Sequence, residues 1–573
     1  MKRTVIVLIS AMSAVLFLAA CSGPYSGEEN LATITLQIGS GNSRTASYPP
    51  AGYTGAAPGA PDPVNDLAYT VIIGSTTVLS QETADASKML QFQFAPGSYT
   101  IMVQAFEIAA PGNLYAGSSL PVNIQAGPNS FNITMHQAGP RISYDSANKE
   151  LWYKTVLTAE DWGLIPPSGG FTYQWYKSGS PIPGATSSTY TIQPSDRNSS
   201  ITVEITDASG PVSSPAINTR SELPIFDADD LKKIRYADPD FPNSITFILQ
   251  NNITLTSAWT PIPSFGDASV HTGIFDGNGY TINLGTHVTA YNAEIPPSTG
   301  TYRSYAGLFD RNYGRIKNLK LSGSIGSLTF DSSIVEVYVG AVVGENMNNG
   351  IIENVSSNVA INIIYGETGI PQIGGIAGRN LGTIRNCNST GHISGEHSNI
   401  YTGKIRIGGI AGELQKGSIT YCWASSQVDA GGTPGSYAGG IAGGMSNAGS
   451  GSDYGTITNC VALNSVAIVT MDVTVGRIVS DLPGSPPPQP STLSKNYGTD
   501  EYPPVGSWVN NNASAEDGGN FPSSPFPSTP VSGDWTTVGI GPEWSFAPSK
   551  ASADETNPWY WDDGSSRPRL WFE

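Results

Sequence analysis

IGGIAGRN at residues 373–380 indicates the fold of this chain, because nearly the same sequence occurs at two further places. The further copies are IGGIAGEL at residues 407–414 and AGGIAGGM at residues 438–445. A single glycine-rich phrase of this kind is compatible with a loop that cradles phosphate. Recurrence without a following amphipathic helix argues against that interpretation and indicates a repeat architecture.

Aligning on the last residue of the phrase extends the array towards the N-terminus. Asp310, Gly344, Gly378, Gly412 and Gly443 are then separated by 34, 34, 34 and 31 residues. A second phrase of the form GxIxN, or a close variant of it, follows each of them, at residues 314–318, 350–354, 382–386, 417–421 and 455–459. Two phrases in a fixed order, joined by a variable third part, predict a solenoid of stacked coils.

Each repeat holds only very short strands, so it cannot bury an apolar face by itself. Stacking places Ile376, Ile410 and Ile441 in one inward column. The repeated glycines suit coil corners, where a positive φ or close backbone contact excludes a β-carbon. Asparagine at a fixed place in each coil predicts a ladder of side-chain amides along one corner.

The two phrases together resemble GLUG-motif repeats, which occur in bacterial surface adhesins and beside some secreted metallopeptidases. FDGNGYTI at residues 275–282 resembles the usual opening of such arrays. NPWYWDDGSSRPRLWFE at residues 557–573 resembles their usual end, in which aromatic side chains cover the final coil. The resemblance spans roughly residues 224–573 and implies a parallel β-helix. Residues 227–234 predict a short capped helix that closes the first coil.

The start of the chain predicts a destination outside the cytoplasm. A basic beginning, an apolar run over residues 4–17 and the sequence LAAC ending at Cys21 resemble a bacterial lipoprotein signal. That resemblance implies removal of residues 1–20, a lipid on Cys21 and a polar tether over residues 21–30. Ser22 after the cysteine resembles lipoproteins sent to the outer membrane. An ordinary secretory signal or an uncleaved anchor is the alternative.

Composition limits the fold class and the partners. The net charge is −18, with only 28 Lys and Arg, which argues against nucleic acid and anionic lipid headgroups as ligands. Gly and Pro are frequent, at 65 and 42 residues, yet 26 Tyr and 11 Trp supply material for packed cores. Helix-period stretches are nearly absent, so we expect a secreted all-β protein.

Two β-sandwich domains are expected before the repeats. Residues 31–137 alternate in short strands and are similar to the carrier β-sandwiches of bacterial surface lipoproteins. Residues 140–222 resemble a bacterial immunoglobulin-like domain, in which Trp175 would be the buried tryptophan of the third strand. We then assign residues 224–470 to the β-helix, and residues 471–573 to a degenerate last repeat with a tryptophan-rich cap.

Three cysteines fall at equivalent places in consecutive repeats, at Cys387, Cys422 and Cys460. A zinc site would need four converging ligands, usually in closely spaced pairs, and none of the three has such a neighbour. Free cysteine packs well as a small apolar side chain. We therefore predict an inward stack and no metal.

His392 and His397 flank Gly395 and Glu396, in what the sequence predicts to be a loop. Such a loop could bind a metal ion, although an ordinary solvated loop is the simpler interpretation. No HExxH motif is present, so the metallopeptidase that accompanies some GLUG repeats is not encoded in this chain.

Charged residues directly after the repeat glycines are the enzyme alternative. Glu345, Arg379 and Glu413 follow Gly344, Gly378 and Gly412, and stacking would align them as a ladder. Parallel β-helices include polysaccharide lyases and glycosidases, which need neighbouring carboxylates at an open face. The simpler interpretation is a surface column of ion pairs. Asp276 and Asp310 are predicted to serve turns.

The sequence as a whole predicts an all-β cell-surface lipoprotein with no catalytic residues, no cofactor and no metal. The expected function is adhesion, or binding of a glycan or a host or matrix protein along the solenoid. A structural component of the envelope or matrix is the second interpretation, and a carbohydrate-active enzyme is the third. The terminal tryptophans are expected to cap the last coil, with stacking on sugar rings as the alternative.

Overall fold

A computed structural model describes most of the chain between residues 32 and 573. The described ranges are 32–38, 67–73, 76–82, 89–107, 114–118, 122–133, 136–137, 139–144, 151–161, 164–207, 210–235, 240–266, 273–294, 302–328, 334–365, 370–397, 404–431, 436–446, 455–468, 474–481, 493–498, 519–520, 546–562 and 567–573, except 165, 166, 168, 243, 327, 465, 495, 548 and 556. The signal sequence, Cys21 and the tether lie outside them. No helix within these ranges is long and apolar enough to cross a bilayer.

The described residues divide into two compact units. The first takes those up to residue 149, together with 155–191 and 199–218. The second takes those of 150–154, 192–198 and 219–573. Nearly all of both units is β-structure, which confirms the predicted fold class.

The first unit begins with two sheets that share one core, formed by residues such as Ile34, Leu36, Val71 and Val103. One sheet contains Met89–Phe94, Ala32–Ile38 and Pro128–Ile133. The other contains His136–Gln137, Leu114–Ser118, Ile101–Glu107, Leu67–Ile73 and Thr76–Glu82, and Gly97–Tyr99 pairs separately with Val122–Ile124. Alternating apolar residues on each strand make this core possible.

A second pair of sheets follows in the same unit. One contains Arg141–Tyr144, Val156–Glu160 and Thr189–Thr191, and the other contains Ser180–Pro181, Thr172–Lys177, Ser200–Asp207, Gly210–Ser213 and Ile217–Asn218. Trp175 is fully buried, and its Nε1 donates to the Ser187 carbonyl at 2.9 Å. The tryptophan thus has the position expected from the immunoglobulin-like resemblance, with its polar atom satisfied.

The second unit is a parallel solenoid of three sheets. The long sheet contains Leu223–Ile225, Thr246–Leu249, Ile253–Thr254, Ile274–Asp276, Thr281–Asn283, Arg315–Gly326, Ile351–Tyr365, Thr383–Ser389, Ile393–His397, Ser418–Thr420, Trp423–Ala424, Val428–Gly431, Thr456–Thr458, Val461–Ala462, Val466–Ile468, Leu493–Ser494, Tyr497–Gly498 and Gly519–Asn520. The second sheet contains Tyr291–Glu294, Tyr302–Ala306, Ile334–Gly340, Gln372–Gly374, Arg406–Gly408, Tyr437–Gly439 and Thr474–Gly476. The third sheet contains Phe309–Asn312, Val343–Asn346, Ala377–Asn380, Ala411–Leu414, Ala442–Met445 and Val479–Asp481.

The pairing register follows the spacing of the repeats. Ala377 of the third sheet pairs with Val343 in the preceding coil and with Ala411 in the next. Ile376, Ile410 and Ile441 are fully buried in one continuous core. The solenoid predicted from the repeated phrases is therefore confirmed.

Close backbone approach explains the repeated glycines of the third sheet. A β-carbon on Gly378 would lie 2.5 Å from the Val339 nitrogen of the preceding coil. One on Gly443 would lie 2.5 Å from the Ile407 nitrogen. Such distances are far inside van der Waals contact, so a side chain at either position would force neighbouring strands apart.

Positive φ angles occur instead at the end of the GxIxN phrase. Asn318, Asn354, Asn386 and Asn459 have φ between 52° and 55°, and Tyr421 takes the same conformation with φ 52°. Asparagine tolerates this left-handed region better than other residues with a β-carbon. Asparagine therefore favours the backbone conformation of this corner. Only part of the expected amide ladder forms here, where Asn354 donates to Asn318 at 3.1 Å.

A second amide ladder runs through the third sheet. Asn346 donates from Nδ2 to Asn380 at 2.8 Å, and Asn312 donates to Asn346 at 2.9 Å. All three side chains are buried, so the ladder satisfies polar groups in the core. It ends at Leu414, which occupies the next place in the register.

A single α-helix within the described ranges, Ala228–Arg235, follows the first strand of the long sheet. Asp227 caps it by accepting from the backbone nitrogens of Asp229 at 3.0 Å and Asp230 at 2.9 Å. Leu231 and Ile234 are buried in the solenoid core. The helix therefore covers the start of the stack, as the sequence predicts.

The last residues differ from the expectation that they cover the final coil. Near its C-terminus the chain forms a hairpin of Trp559–Asp562 and Arg567–Leu570. The remaining elements are two short 3₁₀ helices, Pro194–Asp196 and Lys550–Ser552. The residues after the hairpin lie close to Gly279 in an early coil, where an added β-carbon would be 2.7 Å from Phe572. The hairpin itself packs against Val461, near the other end of the repeats. The described part of the tryptophan-rich segment thus lies along the side of the stack.

Candidate functional site

The charged residues that follow the repeat glycines form a column in the third sheet. Pairing places Arg311 beside Glu345, Glu345 beside Arg379, and Arg379 beside Glu413. We call these four residues the charged column. The alignment that the sequence predicts for Glu345, Arg379 and Glu413 is present in the structure.

A second column, from the second sheet, packs against the charged column. Its members pair in the order Tyr305, Tyr338, Gln372, Arg406 and Tyr437, and we call them the facing column. The Arg379 guanidinium carbon lies 4.6 Å from the centre of the Tyr338 ring, and that of Arg311 lies 5.6 Å from the Tyr305 ring. The arginines therefore stack on tyrosine faces, which favours the cation.

Glu345, Arg379 and Glu413 are buried, so the prediction that they form a surface column of ion pairs is wrong. Glu345, Arg379 and Glu413 expose only 1%, 8% and 4% of their area. The physical reason lies in the glycines of the third sheet, which let the second sheet approach closely and place Tyr338 over Arg379 and Arg406 beside Glu413.

The ion pairs also do not alternate along the whole column. Arg379 donates from Nε to Glu345 Oε1 at 2.7 Å, and its Nη2 contacts the same oxygen. Glu413 instead accepts from Arg406 Nη1, in the facing column, at 3.0 Å. Each of these two carboxylates thus has an arginine of its own.

Burial and neighbouring charges shift the ionisation of this region. Burial is the largest influence on Arg379 and opposes its charge, but the attraction and hydrogen bond of Glu345, together with Tyr338 and Glu336, outweigh burial and raise the arginine pKa. Burial also raises the pKa of Tyr338 and of Tyr305 well above the usual range. The tyrosines are therefore neutral and the guanidinium is charged at physiological pH, a state that stabilises the packing.

Asp310 stands where the later repeats have glycine, and it is fully buried. Its Oδ1 accepts from the Ser264 nitrogen at 2.5 Å, while its Oδ2 lies 3.6 Å from Arg311 Nε. Burial raises the pKa of this carboxyl to about 6. Asp276, the other predicted turn residue, accepts from the Asn278 nitrogen at 2.8 Å, as expected for a turn.

Cys387, Cys422 and Cys460 lie in the solenoid core with no exposed area. Their Sγ atoms donate to the carbonyl oxygens two residues earlier, at 3.1, 3.3 and 3.4 Å. Burial raises the pKa of Cys422 and Cys460 well above the usual value, which disfavours the thiolate that a metal ion would bind.

His392 and His397 do not share a loop, so that expectation is wrong. His397 ends the strand Ile393–His397, is fully buried and packs edge-on against Tyr365 with ring centres 5.2 Å apart. His392 directly precedes the strand and faces solvent, where its Nε2 lies 2.6 Å from Asp429 Oδ2. Opposite orientations exclude a shared metal site, and no group of three metal-binding side chains occurs among the described residues.

An exposed strip on the long sheet escaped the sequence interpretation. The strand Ile351–Tyr365 alternates over its second half, with Val359, Ile361 and Ile363 buried and the residues between them exposed. Its neighbours continue this surface. The open strip consists of the exposed residues Asn358, Ala360, Asn362, Ile364, His392, Glu396 and Gln427, together with the partly buried Ser394 and Asp429. The period-two alternation after Val355 was the signal that could have revealed it.

Side chains of the open strip line up from coil to coil. Asn362 pairs in register with Ser394, which pairs with Asp429. Ser394 donates from Oγ to Asn362 Oδ1 at 2.9 Å, and the Gln427 amide donates to both Asp429 oxygens at 3.1 and 3.0 Å. Ile364 adds an apolar point with 60% of its area exposed. These contacts hold the polar atoms on a rigid sheet.

Comparisons with known proteins give a motif match within the solenoid. Residues 371–394 match the GLUG motif, so the resemblance drawn from the repeated phrases is confirmed. A crystal structure from Bacteroides ovatus, described provisionally as an immunoglobulin A1 protease, is similar over 61% of this chain and 93% of its own, with 18% identity and a TM-score of 0.40. Fibronectin(III)-like modules of Clostridium thermocellum CbhA match 28% of this chain and 79% of their own, with 15% identity and a TM-score of 0.10. The comparison with curated proteins gave no match.

Proposed function

We propose that this chain is a non-catalytic lipoprotein of the bacterial cell surface that binds a glycan or a protein ligand through the open strip. A lipid on Cys21 would hold it to the membrane, and the β-domains would carry the solenoid outward. The lipoprotein-like start of the chain supports the anchor. The open strip is the observation that supports binding.

The chemistry of the open strip favours a glycan over a polyanion. Amide and hydroxyl groups of Asn358, Asn362, Ser394 and Gln427 can donate and accept hydrogen bonds, as sugar hydroxyls do. The strip carries no lysine or arginine that would attract a polyanion. Because the side chains stand on a paired sheet, little conformational entropy is lost on binding.

The burial of the charged column argues for a non-catalytic role. A glycosidase or lyase on this solenoid would need carboxylates that reach a substrate in an open groove. Glu345 and Glu413 are instead covered and paired with Arg379 and Arg406. These residues support the fold rather than a reaction.

Binding assays with residues 22–573 test the proposal. Immobilised glycans and matrix proteins are screened for saturable retention, while the same wells are assayed for new reducing ends and unsaturated products. Asn362→Arg places a long cation in the middle of the open strip and should abolish retention. Asn218→Arg is the matched control, because Asn218 is an exposed strand residue of the other unit.

The outcomes separate the three interpretations. Retention that is lost in Asn362→Arg and kept in Asn218→Arg supports binding through the open strip. Retention that both variants keep moves the binding surface elsewhere. Released product contradicts the non-catalytic assignment, and the absence of retention on every ligand favours a structural component of the envelope.

A further inference from the structure

The described residues of the C-terminal segment 546–573, here called the strap, lie along one line of side chains on the long sheet. This line, the strap column, consists of Lys320, Ser356, Asn388, Trp423, Val461 and Tyr497, which pair in succession from coil to coil. Residues far apart in the stack therefore meet the same short segment. In a plain solenoid each repeat contacts only its neighbours.

The first half of the strap column is polar and binds polar atoms of the strap. Lys320 donates from Nζ to the Phe572 carbonyl at 3.1 Å. Ser356 donates to Glu573 Oε1 at 2.7 Å, and Asn388 donates to Glu573 Oε2 at 3.3 Å. The Glu573 carboxylate thus joins two neighbouring coils.

A further ion pair reinforces this end of the strap. Lys317 Nζ lies 2.6 Å from Glu555 Oε1 and 3.1 Å from Asp276 Oδ2. The attraction of the two carboxylates outweighs burial and raises the pKa of Lys317. Lys317 therefore joins Glu555 of the strap to Asp276 of the long sheet.

The second half of the strap column is apolar and binds apolar side chains. Trp423 and Val461 form one buried cluster with Trp559 and Leu570 of the strap. Tyr497, Phe546 and Trp561 pack around this cluster. The strap and its column are thus complementary along their length, polar against polar and apolar against apolar, which fixes a single register.

We propose that the strap is a lateral clamp that makes the solenoid open as one unit, and that the strap column is a peptide-binding surface specific for it. Contacts between neighbouring coils alone would let the ends of the stack open independently. A segment that bridges from the coil of Lys320 to that of Tyr497 couples those openings. Displacing the strap therefore loosens coils that it does not touch directly.

Hydrogen exchange measured by mass spectrometry at rising guanidinium concentration tests the clamp in the full-length mature chain. In the wild type, the strands Ile274–Asp276 and Thr456–Thr458 should merge into one opening reaction. Trp559→Ala should lower the protection of Thr456–Thr458 at least tenfold more than that of Ile274–Asp276. Phe241→Ala, a buried core change remote from the strap, is the matched control and should lower both together.

A second measurement covers the case in which the tryptophan variant folds poorly. A chain that stops at residue 545 is mixed with a synthetic peptide of residues 546–573, and binding is measured together with recovery of protection. Saturable binding that restores a joint opening supports the clamp. Trp559→Ala that lowers the protection of both strands equally overturns the clamp, as does a peptide that does not bind a truncated chain whose three cysteines remain protected from labelling.

Discussion

Replacing Arg379 with methionine tests whether the charged column stabilises the solenoid. Glu345 exposes only 1% of its area, and Arg379 Nε donates to it at 2.7 Å. Methionine keeps an unbranched apolar side chain against Tyr338 but removes the guanidinium. The variant therefore leaves a buried carboxylate without its closest cation.

The expected loss follows from the cost of breaking a buried ion pair, about 3–5 kcal/mol. Arg311 lies beside Glu345 in the register and offsets part of this loss, so we expect the lower end of that range. About 3 kcal/mol raises the opening equilibrium constant of the solenoid by roughly two orders of magnitude. Adding Glu345→Gln removes the unpaired charge, and the double variant should recover most of the stability.

Thiol labelling in urea measures this opening without interference from the first unit. In a chain that begins at residue 22, the remaining cysteines are Cys387, Cys422 and Cys460, and all three are buried in the solenoid. A thiol reagent reaches them only when the solenoid opens, so the urea midpoint of labelling reports its stability. Arg379→Met should shift that midpoint far downward.

Arg385→Met is the matched control for this experiment. Arg385 donates to Glu353 at 2.6 Å, but Arg315 contacts the same carboxylate, and the Arg385 side chain is 46% exposed. Because Glu353 keeps a cation, the loss should stay below about 1 kcal/mol. Equal midpoints for the two methionine variants, or no recovery in the double variant, would refute the assignment of a stabilising role to the charged column.

Three further predictions follow from single positions. Burial raises the pKa of the Asp310 carboxyl to about 6, so the folded state holds the carboxyl proton more tightly than the unfolded chain does. The stabilisation that this proton provides is present below about pH 4 and is lost as the pH rises through 6. Asp310→Asn should therefore stabilise the solenoid by about 1–3 kcal/mol at pH 8 and leave its stability nearly unchanged at pH 4. The measurement is the urea midpoint of labelling with a dithiodipyridine reagent, which reacts with thiols at both pH values. Gly378→Ala forces a β-carbon against the Val339 nitrogen and should cost about 3 kcal/mol or more, whereas Gly326→Ala, whose β-carbon would lie 3.3 Å from its nearest neighbour, should be tolerated in the same assay. Cys21→Ser should move the protein from the detergent phase to the aqueous phase and abolish incorporation of radiolabelled palmitate, and incorporation into the variant would contradict lipidation at this residue.

The sequence predicts the solenoid because the repeats carry their own register. The 34-residue spacing of Gly344, Gly378 and Gly412 becomes the pairing of adjacent strands, and the isoleucine two residues before each later glycine points into the core. Local patterns of this kind survive because every coil meets the same neighbours. The capped helix after Asp227 was predictable for a similar reason, since its signals are all local.

Features that depend on contacts between distant segments were not predictable. Glu345 and Arg379 look like surface residues in a strand, and only the packing of the second sheet, which the glycines allow, buries them. Similarly, Glu573 has no sequence signal that links it to Ser356 and Asn388, more than 180 residues earlier. Periodicity describes a coil and its neighbours, but it does not describe a segment that crosses them.

Tyr421 shows how the two kinds of contact meet in one residue. It is the one non-asparagine in its corner, and a residue of this shape with φ 52° costs about 1–2 kcal/mol relative to an ordinary backbone conformation. Its ring packs against the cluster that joins Trp423 to the strap. The backbone conformation of Tyr421 is thus less favourable than that of the asparagines at the equivalent corners. The packing of its ring offsets this cost. The coil that contains Tyr421 therefore depends on the strap for part of its stability. We expect this coil to open first when the strap dissociates.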